Sequence, residues 1–182
     1  PSRYAALSGL CAATITVTTT LAYTFEGTSI VLMMLLMRGM VLALAPVIDL
    51  LTRRPVRTRS WVALALSFTA LAVAFRARGT LAMSGAALVC LALYAGAYFV
   101  RLQLMSRAAK SDDAWSNRRF FVDEQLVCMP TVVATLVAWA ALGDGARGAA
   151  LREGFGDFFA RPYAWAGLAA GVCSQGTGIF GA

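Results

Sequence analysis

Histidine is absent from this chain of 182 residues. With it go the commonest general base and the commonest metal ligand. Acid is scarce as well. Nine Asp and Glu stand against 16 Lys and Arg, and charged residues make up only 14% of the chain, where soluble domains run near ~25%. The four cysteines, Cys11, Cys90, Cys128 and Cys173, sit in four separate apolar stretches without a CxxC spacing. They read as small hydrophobes, and neither a disulfide nor a zinc site is expected. No GxSxG, HExxH or P-loop motif occurs. Gly176-Thr177-Gly178 is not a dinucleotide fingerprint, because no strand precedes it and the third glycine is missing. An enzyme reading has no constellation to stand on, so no catalytic residue, cofactor or metal is expected. A signal peptide of the usual form is not expected either.

Apolar residues are what the chain has in plenty. They make up 59% of it, and the mean hydropathy is +0.70. Such a chain cannot cover itself with polar surface in water, and its ordinary solvent is lipid. Six apolar stretches stand out, over residues 4–25, 29–51, 61–75, 81–100, 121–142 and 163–182. Most reach the ~20 residues that cross ~30 Å of hydrocarbon as a helix. The third is shorter and must recruit its flanks, with Arg76 and Arg78 snorkelling. Backbone amides in lipid must be satisfied within the segment, and no period-two alternation marks strands. The expected fold is all-α, a polytopic bundle of about six spanning helices. A short interfacial helix is expected within 143–161, with Phe155, Phe158 and Phe159 on its apolar face.

The net charge of +7 raises the question of nucleic acid. The cations lie in short loops between apolar runs, which is the pattern of a topology signal instead. Ten Lys and Arg fall on the side of Arg3, the 52–60 loop and the 101–120 loop, and five on the other. That bias places the first side in the cytoplasm of a multi-pass inner-membrane protein. Residues 101–110 are expected to prolong the fourth helix, with a helix stop or a new N-cap at 111–113.

A few polar residues stand inside the apolar runs. Arg38 lies near the middle of the second, in LLMRGMV. A cation at that depth faces a bundle interior or a water-filled cavity, either to bind an anionic substrate or to pair with backbone carbonyls or a buried acid. Asp49 is expected to pair with Arg53 at i+4, and Pro46 to loosen the helix between Arg38 and Asp49. Asp123 and Glu124 are adjacent, so at most one points inward. They are candidates for proton or ion coupling, or else acids placed favourably at a helix N-terminus. The threonines at 14, 16, 18, 19 and 20 can bond to their own helix or aid close packing. Gly85, Ala86, Gly96 and Ala97 are candidate contact residues of the fourth stretch. Tyr94 and Tyr98 share one of its faces. The sixth carries Ser174-Gln175-Gly176-Thr177-Gly178, a polar, loosened helix in which Gln175 is a candidate cavity residue.

The run LAYTFEGTSIVLMMLLMRGMVLALAPVIDLLTRRPVRTRSWVALALSFTALAVAF resembles the EamA-like branch of the drug/metabolite transporter superfamily. A helix ends in Tyr23-Thr24 and turns tightly through 26–28. The next helix carries Pro46, an arginine loop follows, and a short helix closes. LAMSGAALVCLALYAGAYFVRLQLMSR resembles the helix that opens the second repeat in that family. The resemblance implies ten helices in two inverted five-helix repeats. Residues 1–79 would be the last three helices of the first repeat, and 80–182 the first three of the second, in a chain truncated at both ends. It implies a permease or exporter of a small metabolite, working by alternating access. Arg38, Tyr94 and Gln175 would line the substrate site, with Asp123 and Glu124 as coupling candidates. The alternative is a non-transporting membrane scaffold. The expected partners are the lipid bilayer and a small molecule, not nucleic acid, and a homodimer stays open.

Overall fold

A computed structural model describes residues 2–22, 30–51, 58–78, 84–108 and 114–180. The fold is all-α. Among the described residues seven α-helices follow one another: α1 (Arg3–Ala22), α2 (Ile30–Leu51), α3 (Thr58–Arg78), α4 (Gly85–Ala108), α5 (Ala114–Leu142), α6 (Ala146–Asp157) and α7 (Ala164–Phe180), with a 3₁₀ turn at Phe158–Ala160 between the last two. No strand occurs among the described residues. The tight turn expected at 26–28, the arginines at 53, 54 and 57, Lys110 and the stop at 111–113 lie outside the described residues, as does the expected partner of Asp49.

Four helices, α1, α2, α4 and α5, are long and apolar enough to cross a membrane. They mark the chain as a membrane protein. Two shorter apolar segments, Trp61–Ala70 and Ala164–Cys173, lie within α3 and α7. The third stretch does extend into its flanks, since α3 runs to 21 residues and takes in Arg76 and Arg78. A short helix does form within 143–161, as α6 followed by the 3₁₀ turn.

The distribution of side chains suits lipid. Large apolar residues that a water-soluble protein would cover are exposed along the helices, among them Val31, Leu66, Val89, Leu93, Leu126 and Val133. What is buried is mostly small. On the first half of α1 it is Ala5, Ser8, Gly9, Ala12 and Ala13, with Thr18 and Ala22 further on, and the i, i+4 spacing of the first five lets helix backbones approach when lipid removes the hydrophobic drive between them.

Two compact units divide the chain, Pro1–Met129 and Pro130–Ala182. In the first, α1 packs against α4, and α2 packs against both α3 and α4. The core there joins Ala22 of α1, Met33 and Met37 of α2, and Ala87, Cys90 and Tyr94 of α4. On α4 the buried positions 87, 90 and 94 recur at i, i+3 and i+7, one helical face. The glycines expected to make that contact do not. A Cβ at Gly85 or Gly96 would meet nothing within 4 Å, and Ala86 is exposed. The close approach falls instead at Gly9, where a Cβ would lie 2.8 Å from both the Glu124 carbonyl oxygen and Val127 Cβ.

The second unit has its own ties. Gly145 (φ 91°) makes the turn from α5 to α6 in a backbone region that side chains avoid. Arg152 Nη1 donates to the carbonyls of Ala140 (2.9 Å) and Gly143 (3.2 Å), satisfying carbonyls at the end of α5. Arg161 donates to Glu153 and to the Tyr163 hydroxyl.

Candidate functional site

A cavity of about 410 Å³ opens between α1, α2 and α4 in the first unit. Arg38, the cation expected to be costly, lines it. It is the ninth residue of the 22 in α2, so it sits ~12 Å along a helix that spans ~33 Å. Met37 and Tyr94 form the closed side, while Met34, Arg38 and Leu42, at i, i+4 and i+8 of α2, stand at the exposed edge. Tyr94 and Tyr98 stack in a tilted pair with ring centroids 4.9 Å apart, and both face the cavity.

Two of the three candidate substrate residues therefore meet in one place. Arg38 arrives on α2 and Tyr94 on α4, held by the packing of Met33, Met37, Ala87 and Cys90. Gln175 belongs to α7, but its side chain lies outside the described residues.

The threonine run of α1 is turned back on its own helix. Thr14, Thr16, Thr18, Thr19 and Thr20 each donate to the carbonyl four residues earlier, at 2.7–3.0 Å. With its hydroxyl satisfied, Thr19 presents a nearly apolar wall to the cavity. Thr18 also serves packing, since its carbonyl accepts the Cys90 thiol at 3.1 Å.

Next to the cavity along α4 is a buried ion pair. Arg101 follows Tyr98 by three residues and Tyr94 by seven, on the same face. Its Nε donates to Glu124 Oε1 at 2.7 Å and its Nη2 to Oε2 at 3.1 Å, a bidentate pair. Ser8 Oγ of α1 donates to the same Oε1. The Glu124 side chain is fully buried and that of Arg101 is 20% exposed. One carboxylate thus ties α1, α4 and α5 together.

Sequence reasoning left open which of the two adjacent acids points inward. Phe120, Glu124 and Cys128 are all buried, at i, i+4 and i+8, whereas Asp123 is only partly buried. The helix-terminus reading of these acids does not hold, because α5 begins at Ala114, ten residues before Glu124. The charge pattern alone assigns Arg101 to the loop cations of the 101–120 connector. It is a helix residue instead, seven positions before the end of α4. A signal was there to be read: the expected prolongation of the fourth helix already carried Arg101 onto the Tyr94–Tyr98 face.

No family model, curated protein or solved structure matches the chain.

Proposed function

We propose that the chain belongs to a secondary transporter that moves a small metabolite across the cytoplasmic membrane by alternating access. This is the behaviour expected of the EamA-like drug/metabolite transporters its sequence resembles. The observation that carries the reading is Arg38, a cation ~12 Å into an apolar helix, lining a cavity between three helices of spanning length. An arginine at the centre of a spanning helix costs ~2.5–3.5 kcal/mol even on insertion scales. A scaffold would be rid of that cost by any apolar replacement, whereas a carrier of charged or polar cargo needs such a group at mid-depth.

On this reading, residues 1–79 close one five-helix repeat and 80–182 open the next. The N-terminal end and the 52–60 and 101–120 loops lie in the cytoplasm. Setting aside Arg101, which Glu124 engages, the cation bias is still nine to five. For coupling, Glu124 is better placed than Asp123. A proton on its carboxylate would release Arg101 and weaken the tie between three helices at once.

The test is labelling of a Tyr94→Cys variant, the native cysteines replaced, with a membrane-impermeant thiol reagent in right-side-out and in inverted vesicles. A second variant at position 175 runs in parallel. Alternating access predicts that position 94 is labelled from both faces. A scaffold without a water-filled cavity predicts labelling from neither, and that result sinks the transport reading.

A further inference from the structure

The lining of the cavity specifies what it can hold. Arg38 brings the single charge among the lining residues. Among the described residues it has no ion pair or hydrogen bond. The described acids of the same unit are Asp49, Asp123 and Glu124. Glu124 is held by Arg101 and Ser8, and Asp123 is its neighbour on α5. Asp49 is eleven residues beyond Arg38, ~16 Å along α2. The guanidinium stands exposed at the edge of the cavity with no described acid of this unit paired to it, so it is open to an anion from outside the protein, and its attraction for one grows where surrounding lipid lowers the local dielectric.

The remaining lining decides what the rest of that anion looks like. Met37, Val41 and Ile15 offer aliphatic and thioether surface, and Tyr94 and Tyr98 add two rings. Thr19 has already spent its hydroxyl proton on Ile15. A sugar or another polyol would meet only the Arg38 fork and two tyrosine hydroxyls among apolar neighbours, too few partners for its many hydroxyls to repay their lost hydration. An amine would meet a cation and no acid. A dianion would leave its second charge against thioethers. The volume, about 410 Å³, lies toward the small end of the ~300–1,000 Å³ usual for small-molecule sites.

We infer that the cavity between α1, α2 and α4 binds a small amphipathic monoanion. Its carboxylate sits in the fork of Arg38, and its aromatic or branched apolar body lies against Met37, Val41 and Tyr98. As the cargo of a carrier this rests on the transport reading. As a binding site it does not.

Isothermal titration calorimetry on the full chain in detergent tests it with four probes: phenylacetate, phenylacetamide, phenethylamine and phenylmalonate. Phenylacetate is expected to bind at least ~10-fold more tightly than each of the others, because charge-assisted hydrogen bonds are about twice as strong as neutral ones. Arg38→Gln should make the acid and its amide bind alike, while Arg38→Lys should keep a preference for the acid. Circular dichroism confirms that both variants stay helical, and Arg38→Lys keeps the test decisive if Arg38→Gln misfolds. The inference is overturned if the amide or the amine binds as tightly as the acid. It is equally overturned if Arg38→Gln leaves the preference intact, or if no probe binds below ~10 mM. Acid preference without two-sided labelling at position 94 would leave the binding site standing and remove transport. Two-sided labelling without acid preference would do the reverse.

Discussion

Replacing Arg101 by leucine should destabilise the chain far more than replacing Arg101 and Glu124 together. Glu124 is fully buried and takes three hydrogen bonds, two from Arg101 at 2.7 and 3.1 Å and one from Ser8. Removing the guanidinium leaves a buried carboxylate with Ser8 alone. Losing one partner of a buried pair costs ~3–5 kcal/mol in soluble proteins. Hydrogen bonds within membranes are weaker on average, ~0.6 and at most ~1.7 kcal/mol each. Two bonds at the upper membrane value place Arg101→Leu at about 3 kcal/mol. Glu124→Leu should cost less, ~1–2 kcal/mol, because Arg101 is 20% exposed and its long side chain can reach toward water. The double variant removes both desolvated charges and should fall within ~1 kcal/mol of the parent. The coupling energy is then ~3–5 kcal/mol, well outside the additive range for independent sites. Titration from a mild detergent into dodecyl sulfate, followed by far-ultraviolet circular dichroism, measures all four proteins. The reasoning is refuted if Arg101→Leu lies within ~0.5 kcal/mol of the parent, or if the double variant loses the sum of the two singles.

The small-residue face of α1 gives a second expectation. Gly9→Ala puts a methyl 2.8 Å from the Glu124 carbonyl oxygen and Val127 Cβ, so α1 must shift, at ~1–3 kcal/mol in the same titration. Gly96→Ala, mid-helix with open space around its Cβ, should not destabilise and should gain up to ~1 kcal/mol. The cysteines give a third. In detergent, N-ethylmaleimide should modify exposed Cys173 first and buried Cys90 and Cys128 last, with mass spectrometry reading the order. Equal rates at all three would contradict the packing of α4 and α5 against α1.

How much of this was legible beforehand varies with the kind of signal. The apolar runs gave the helices, because in lipid length and hydropathy alone decide what spans. Arg38 and Tyr94 were singled out by cost and by periodicity, which work one helix at a time, and they line one cavity. The contact stripe was misjudged on α4 and overlooked on α1. Glycine and alanine are common in any membrane helix, and which of them meets a neighbour depends on helix rotation. The sequence does carry Ala5-xxx-Gly9-xxx-Ala13, and that repeat was the better signal. The Arg101–Glu124 pair joins residues 23 positions apart on two helices. Arginines near helix ends usually report topology, so Arg101 was read as one more loop cation. Only the extension of α4 to Ala108 and the start of α5 at Ala114 bring the two charges into register.

The account depends most on α1, α2, α4 and α5 lying across a bilayer. Polarised infrared dichroism of the chain, reconstituted in oriented lipid multilayers, measures this directly. The prediction is an amide I dichroism for helices tilted on average by ~20°, within ~40°, of the membrane normal. Helices lying in the membrane plane, or a chain that stays monomeric in water without lipid or detergent, would contradict it.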